Sequence, residues 1–224
     1  MMEDARAYEE LRVGFTAAVS HELRTPLARL LALLESASLP GADPDTLLAE
    51  AREQVEEMSE LIDDVLFLSE LESGRQVVAL GDTPALPVLE AVRDRLADSA
   101  ERAGVAIVID AEPGVELPLR RRMLQVVVEN LAANSIRYAG HGTTLTLAAR
   151  PGELEVADDG RGVEEQDLQR LFERFYRSDR ARASRGTGLG LAIVKHVVVS
   201  AGGQVEASGG PGRGLRVLCS FPAP

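Results

Sequence analysis

Two long stretches at the start of the chain, within residues 1–72, carry apolar side chains at every third or fourth position. This spacing predicts two amphipathic α-helices, over residues 3–36 and from about residue 45 to residue 71. A turn at residues 39–44 joins them, and two antiparallel helices with a short connection form a hairpin. One hairpin has too little surface to bury both apolar stripes. The sequence therefore predicts a homodimer in which two hairpins form a four-helix bundle.

The hydrophobic pattern changes at residues 72–75, Glu-Ser-Gly-Arg, and we place the boundary between two predicted domains, 1–72 and 73–224, at this point. Strands that follow one another through short turns, mixed with helices, indicate an α/β sandwich with a mixed, largely antiparallel sheet. The predicted helices lie near residues 84–102, 119–137, 164–172 and 188–201, and the predicted strands at residues 105–110, 143–149, 154–157, 204–207 and 215–221.

Charge and cysteine content exclude several classes of function. The net charge of −12 disfavours a nucleic-acid partner, because proteins that bind phosphate backbones present a basic surface. One cysteine, Cys219, excludes a disulfide framework and a zinc site built on cysteines. No apolar run approaches the ~18 residues of a membrane span, and the start of the chain lacks an apolar signal segment. We therefore expect no membrane contact from this segment and a location in the reducing cytoplasm.

The first candidate reactive residue is His21, in the sequence Ser-His-Glu-Leu-Arg-Thr-Pro-Leu that covers residues 20–27. At 3.6 residues per turn, His21 points ~160° away from Val19 of the apolar stripe, so we expect it to be exposed to solvent. Glu22 adjoins it, and Thr25 lies one turn further along the same side of the helix. A lone surface histidine is ordinary, but these neighbours on a dimerising hairpin make His21 a candidate reactive group.

Two asparagines, Asn130 and Asn134, lie four residues apart and therefore on one face of the predicted helix 119–137. Their side-chain oxygens can coordinate Mg²⁺, which prefers oxygen ligands and keeps some of its waters. Arg137 follows and can reach a phosphate. One asparagine on a helix surface is ordinary, but two that are followed by Arg137 and Tyr138 favour a binding site.

Two glycine-rich segments come next along the chain. Asp158 ends a predicted strand and precedes Gly160 and Gly162, which permit a tight turn and a close backbone approach. Its carboxylate could accept a hydrogen bond from an exocyclic amine such as that of adenine. Residues 186–191, Gly-Thr-Gly-Leu-Gly-Leu, open a predicted helix, where free backbone N–H groups and the helix dipole favour a phosphate. The spacing matches neither the Rossmann fingerprint nor the Walker loop.

In this order, the segments resemble the catalytic core of the sensor histidine kinases of two-component systems. Residues 20–27 resemble their phosphoacceptor box, and the segments from Asn130 onward resemble the ATP-binding domain of the superfamily that histidine kinases share with gyrase, Hsp90 and MutL. Residues 171–177, Leu-Phe-Glu-Arg-Phe-Tyr-Arg, resemble the phenylalanine box, and residues 176–185 would be the mobile ATP lid. The resemblance extends over residues 15–221, nearly the whole chain.

The resemblance implies an enzyme that uses ATP to phosphorylate its own His21 and passes the phosphoryl group to an aspartate of a response-regulator receiver domain. It implies that Glu22 is the general base and that Thr25 positions water for dephosphorylation of the partner. It further implies that Asn134 binds Mg²⁺ and that Asn130 supports the metal and the phosphates. The other implied nucleotide contacts are Arg137, Tyr138, Asp158, Gly160, Gly162, Arg177, Gly186, Thr187, Gly188, Leu189 and Gly190.

Three positions depart from the pattern of the family. Arg161 stands where proline is frequent, Ser135 replaces the usual small alanine or glycine, and Arg137 stands where lysine is common. None of these changes removes a reacting group. We expect Arg161 and Ser135 to tune nucleotide affinity.

Two alternatives remain open. An ATP hydrolase of the same superfamily would place a water-activating glutamate four residues before the metal-binding asparagine, where this chain has Asn130. A dimeric scaffold that binds nucleotide without turnover is disfavoured by the presence of His21, Glu22 and Asn134. Members of the family usually carry sensor and membrane segments ahead of this core. We therefore expect a full-length protein that is anchored in the cell membrane through segments absent here.

Overall fold

The structure is a computed structural model that describes residues 2–37, 39, 43–73, 79–178 and 186–222. These residues form two compact units. One unit contains the described residues up to Phe67 together with residues 186–187, and the other contains the rest. The division lies inside the second helix, a few residues before the boundary that we expect from the sequence.

Two long helices, α1 (Met2–Ser36) and α2 (Pro44–Glu72), form as the apolar spacing predicts, and the first unit contains α1 and α2 up to Phe67. α2 begins with a proline, whose missing N–H is not needed in the first turn of a helix. The carboxylate of Asp43 precedes it and accepts hydrogen bonds from the hydroxyl of Thr46 at 2.5 Å and the N–H of Asp45 at 3.3 Å. These bonds, chiefly the one from Thr46, hold the pKa of Asp43 below its ordinary value. Residues 40–42 of the predicted turn at residues 39–44 lie outside the described residues.

The second unit contains a five-stranded sheet. Its strands are β2 (Val105–Ala111), β4 (Thr143–Arg150), β5 (Glu153–Asp158), β6 (Gln204–Gly209) and β7 (Leu215–Ser220). Their order in the sheet is β2-β4-β5-β7-β6. β2 pairs with β4 in parallel and the other neighbours are antiparallel, which confirms the predicted mixed, largely antiparallel sheet.

Three helices of the second unit pack on this sheet and on one another: α3 (Ala85–Ala103), α4 (Arg121–Tyr138) and α6 (Gly190–Ser200). The strands alternate between buried and more exposed residues, as expected for a sheet with one covered face. Leu147, Leu154 and Cys219 are fully buried in the central strands, and Leu124 and Val194 are fully buried on the helices. This core fixes the C-terminal ends of β5 and α4 next to each other.

A small second sheet was not predicted from the sequence. It consists of the antiparallel strands β1 (Ala79–Pro84) and β3 (Glu116–Leu119). Both strands contain proline, which cannot donate a ladder hydrogen bond and is therefore a signal against a strand. The structure compensates with a side-chain bond, because the buried hydroxyl of Thr83 donates to the carbonyl of Leu119 at 2.6 Å.

The predicted helix 164–172 is largely replaced by turns. Only α5 (Glu165–Leu168) is helical, and the backbone bonds from Asp167 to Glu164 and from Arg170 to Asp167 span three residues rather than four. This tighter winding is typical of short 3₁₀-like segments. Among the described helices, none combines the length and hydropathy that crossing a bilayer requires.

Candidate functional site

His21 lies exposed on α1, as the helical spacing predicts. Thr25 is also exposed, whereas Glu22 is half-buried beside His21. Pro26 follows within the same helix and is buried. The histidine ring is therefore accessible to another molecule and has a carboxylate as its sequence neighbour.

A shallow, open groove runs along this face of α1. Its lining has helical spacing and consists of His21, Arg24, Thr25, Ala28, Arg29 and Ala32. Two short alanine side chains leave room beside the histidine, and two guanidinium groups favour an anionic partner. The sequence analysis identified His21 and Thr25 but missed the arginines. Their spacing of three and eight residues from His21 is the signal that would have found them.

Asp158 ends β5, and its carboxylate joins three elements of the second unit. Oδ1 accepts the N–H of Gly160 at 3.1 Å and the N–H of Leu215 at 3.3 Å. Oδ2 accepts the hydroxyl of Ser135 at 2.8 Å. Ser135 lies on the buried face of α4, so α4, β5 and β7 meet at this carboxylate. Ser135 and Asp158 are 23 residues apart in sequence. Their hydrogen bond joins the helix that carries Asn130 and Asn134 to the glycine segment that follows Asp158.

The segment after Asp158 is closely packed. A Cβ at Gly160 would lie 2.5 Å from the backbone of Ala139, and one at Gly162 would lie 1.9 Å from the carbonyl oxygen of Gly210. The N–H of Arg161 donates to the carbonyl of Ala139 at 3.0 Å. This close packing and the hydrogen bond from Arg161 place residues 160–162 against the C-terminal end of α4.

The other end of the candidate site lies where α4 meets the N-terminus of α6. Asn130 donates its side-chain N–H to the carbonyl of Val126 at 2.9 Å, which leaves its Oδ1 directed at Gly190. A Cβ at Gly190 would lie 2.5 Å from that oxygen. Asn134, one turn further along α4, is half-buried. Arg137 is exposed and Tyr138 is half-buried at the end of the same helix.

Two residues that flank the predicted lid, Phe175 before it and Gly188 after it, are joined by a backbone hydrogen bond. The N–H of Phe175 donates to the carbonyl of Gly188 at 2.9 Å, and Phe175 adopts a positive φ of 60°. Tyr176 donates its hydroxyl to Asp167 at 2.7 Å, and this hydrogen bond raises the pKa of Tyr176 above its ordinary value. Arg177 is half-buried. Residues 179–185, the rest of the predicted lid, lie outside the described residues.

The glycine segment before α6 divides between the two units. Gly186 and Thr187 group with the helical unit, where the hydroxyl of Thr187 donates to Asp64 of α2 at 2.8 Å. Gly188 and Leu189 belong to the second unit, and Leu189 is fully buried at the start of α6. No group of three or more acidic, histidine or cysteine side chains suited to a metal occurs among the described residues.

Comparison with known proteins identifies two family domains in the chain. Residues 11–74 match the His Kinase A (phospho-acceptor) domain. Residues 120–224 match the family described as histidine kinase-, DNA gyrase B- and HSP90-like ATPase.

Several relatives in these comparisons are named as sensor proteins. The sensor-like histidine kinase SenX3 of Mycolicibacterium smegmatis is 34% identical over 223 residues, which cover 96% of this chain and 58% of that protein. The phosphate regulon sensor protein PhoR of Pseudomonas aeruginosa is 37% identical over 227 residues, which cover 95% of this chain and 50% of that protein. The chain thus spans about half the length of the curated relatives it matches.

Solved structures have the same architecture. The histidine kinase AdeS of Acinetobacter baumannii is similar with a TM-score of 0.73 and 26% identity, over 90% of this chain and 97% of that chain. The histidine kinase ThkA, solved in complex with the response regulator protein TrrA, shares the fold with a TM-score of 0.75 at 18% identity. That similarity covers 99% of this chain and 65% of the ThkA chain.

Proposed function

The chain belongs to the sensor histidine kinases, and on that premise we propose that it phosphorylates His21 with ATP and passes the phosphoryl group to an aspartate of a response-regulator receiver domain. The observation that carries the proposal is the exposed His21 on α1, with Glu22 beside it and an open groove around it. A phosphoryl acceptor has to be reached first by ATP and then by a second protein. An exposed imidazole on a helix meets both requirements.

In the proposed first step, a ring nitrogen of His21 attacks the γ-phosphorus of ATP in line with the leaving oxygen of ADP. A nitrogen–phosphorus bond forms and the oxygen–phosphorus bond to ADP breaks. The proton on the other ring nitrogen passes to the carboxylate of Glu22, which thereby acts as general base. Positioning and charge neutralisation supply most of the acceleration in such transfers.

Most residues of the proposed ATP site belong to the second unit. Asp158 would accept a hydrogen bond from the adenine amine, and Gly160 and Gly162 would let the backbone approach the base. Arg137 and Arg177 would contact phosphate, and Tyr138 would pack near the nucleotide. The N-terminus of α6, with Gly186, Thr187, Gly188, Leu189 and Gly190, would face the phosphates.

Mg²⁺ fits the donor set near the phosphates. The amide oxygen of Asn134 is an oxygen ligand, and Mg²⁺ in ATP sites takes its remaining ligands from phosphates and water. Asn130 would support the phosphates through the oxygen that points at Gly190. When bound, the metal would neutralise charge on the transferring phosphoryl group.

The groove on α1 also suits the second step. An aspartate of the receiver domain would approach the phosphorylated His21, and Arg24 and Arg29 would offset the negative charge of the incoming carboxylate. Thr25 lines the same groove and would orient water against a phosphorylated partner, which gives a phosphatase activity. We place these reactions in the cytoplasm, and we propose membrane anchoring for the longer protein because the matched relatives are sensor proteins.

The two halves would have separate roles. Residues 1–72 would form the dimerisation and phosphotransfer hairpin, and residues 73–224 the ATP-binding domain. Apolar side chains that stay exposed on the hairpin support the dimer, among them Leu31, Leu34 and Leu48 at 54–68% exposure. A second copy of the hairpin would cover them.

The proposal is tested by incubating the chain with γ-labelled ATP and measuring protein-bound label after acid and after base. We expect label that is lost in acid and retained in base, as for phosphohistidine. His21→Gln should abolish this label and leave ATP binding intact. His141→Gln, which changes another exposed histidine, should leave it unchanged. Full labelling of His21→Gln would overturn the assignment, and phosphate release without protein-bound label would favour the hydrolase alternative.

A further inference from the structure

Ser135 makes an unusual hydrogen bond for a serine inside a helix. Such serines commonly donate to the carbonyl four residues earlier, and Ser20, Ser36 and Ser59 of this chain do so at 2.8–2.9 Å. Ser135 is only 4% exposed, and its hydroxyl donates instead to Oδ2 of Asp158 on β5 at 2.8 Å. Its single proton is therefore directed at the carboxylate of the proposed adenine site.

With the bond from Ser135, both oxygens of the Asp158 carboxylate accept hydrogen bonds. Oδ1 of Asp158 is held by the N–H groups of Gly160 and Leu215, and Oδ2 is held by Ser135. Because both oxygens are held, the carboxylate cannot rotate about its last side-chain bond without breaking one of these contacts. A carboxylate offers about four acceptor positions, so one position on Oδ2 is left for a ligand.

The remaining position selects for a donor. The 6-amine of adenine can donate to Oδ2, whereas the 6-oxo group of guanine or hypoxanthine would place one acceptor against another. Ser135 could donate to such an oxygen only by giving up its bond to Asp158, because a hydroxyl has a single proton. A buried acceptor that loses its partner disfavours the wrong ligand strongly.

We propose that Ser135 is a positioning residue that strengthens the selectivity of the site for 6-aminopurine nucleotides by holding the Asp158 carboxylate in one orientation. The inference rests on the proposed nucleotide site at Asp158 and adds to it a residue at a position where the family usually has alanine or glycine. Ser135 acts through Asp158 and does not itself contact the amine.

The test measures binding of ADP and of purine riboside diphosphate, which lacks the 6-amine, to the full chain by titration calorimetry. The ratio of the two dissociation constants isolates the contribution of the amine. The unmodified chain should favour ADP by roughly tenfold, the value of one typical hydrogen bond. In Ser135→Ala this preference should be lower but still above one, because Gly160 and Leu215 continue to hold the Asp158 carboxylate. The affinity for purine riboside diphosphate should stay unchanged. Ser135→Thr keeps the hydroxyl and should restore the preference.

Thr83→Val is the matched control. It removes another buried hydroxyl of the same unit, which donates to the carbonyl of Leu119 and lies outside the proposed site. Its preference for ADP should equal that of the unmodified chain. Ser135→Ala variants that weaken both nucleotides equally, or that leave the preference intact, would overturn the role of Ser135.

A further variant separates this inference from the proposed function. If the unmodified chain binds both nucleotides equally, or binds neither, the adenine site at Asp158 is wrong and the inference falls with it. If the preference is lost in Asp158→Asn but kept in Ser135→Ala, the adenine site stands and only the role of Ser135 is wrong. If Asp158→Asn abolishes the preference, Ser135→Ala only lowers it, and the double variant equals Asp158→Asn, then Ser135 acts through Asp158, as proposed.

Discussion

At the scale of single residues, Glu22 and Thr25 lie within one turn of His21 and differ in what their side chains can do. A carboxylate can take the proton that the imidazole releases. A threonine hydroxyl is not a base near neutral pH, but it can orient a water molecule by hydrogen bonding. Thr25 lines the exposed face of α1 around His21, and Glu22 adjoins His21 in sequence. The proposed roles of general base and water-orienting group therefore differ because of the chemistry of the two side chains.

Glu22→Ala should therefore lower the rate of autophosphorylation by roughly 10²–10⁴-fold, the usual contribution of general base catalysis. Thr25→Ala should retain most autophosphorylation but lose the dephosphorylation of a phosphorylated receiver domain. Rates of label uptake and of label loss from the partner measure the two activities, and Thr25→Ser should keep both. Equal loss of autophosphorylation in the two alanine variants, with unchanged ATP affinity, would show that this division of roles is wrong.

Cys219 illustrates a residue that the proposed reaction does not use but that still affects stability. Burial in the central sheet raises the pKa of its thiol from 9.0 to about 12. As pH rises, the unfolded chain therefore loses this proton before the folded chain does, and the free energy of unfolding falls between about pH 9 and pH 12. Below this range the contribution is fully present.

Urea unfolding at pH 8 and pH 10 tests this effect. The loss of stability between these pH values should be about 1.4 kcal/mol larger in the unmodified chain than in Cys219→Ala. The variant serves as the control for every other group that titrates in this range. An identical loss in both proteins would mean that the thiol ionises in the folded state.

At the scale of elements, the turn between β6 and β7 supports the segment that follows Asp158. The N–H of Gly214 donates to the carbonyl of Gly160 at 3.0 Å, and the N–H of Gly212 donates to the carbonyl of Arg161 at 2.8 Å. The two glycine-rich segments thus hold each other in place. The shape of the proposed adenine site depends on this turn as well as on its own sequence.

Gly214→Ala should disrupt this contact, because its Cβ would lie 1.7 Å from the carbonyl oxygen of Asp158. Gly212→Ala is a close control, since Gly212 has a φ of 70° against 69° at Gly214 but no atom within 4 Å of its Cβ. The control should lose only the ~1–2 kcal/mol of a left-handed alanine, whereas Gly214→Ala should lose more stability and weaken ATP binding. Similar unfolding free energies for the two variants would contradict the close packing.

The elements also show which parts of the fold a sequence can predict. The strands of the large sheet have β-branched or alternating apolar residues, and the long helices have clear periodicity, so both follow from local pattern. β1 and β3 contain proline, and each is stabilised as a strand by pairing with the other. α3 and β2 separate the two strands in sequence. Such pairing depends on tertiary contacts that no local pattern records.

At the scale of the whole molecule, the motifs predicted the candidate site residues but not the contacts between them. His21 and Thr25 share a face of α1, and this follows directly from helical spacing. The bond between Ser135 and Asp158 joins two elements 23 residues apart, and only the fold shows that a departure from the family pattern contacts the proposed adenine site. Long-range contacts of this kind require the packed core.

The hairpin also leaves apolar side chains exposed to solvent. Leu48, Val55 and Ile62 recur every seven residues along α2 and are 44–68% exposed. On α1, Leu27 and Leu31 are 46% and 54% exposed. A seven-residue repeat of apolar side chains is the pattern with which helices pack against helices of another chain.

Ile62→Glu should therefore dissociate the proposed dimer, because it places a charge in the centre of the apolar repeat on α2, where burial of an unpaired carboxylate is strongly unfavourable. Val199→Glu is the matched control, since Val199 is 54% exposed on α6 of the other unit and the same substitution there should leave the mass unchanged. Sedimentation velocity at micromolar concentration measures the outcome. We expect a dimer for the unmodified chain and for Val199→Glu, and a monomer for Ile62→Glu that still binds ATP. A monomeric unmodified chain, or a dimer that survives Ile62→Glu but not Val199→Glu, would contradict dimerisation through the hairpin.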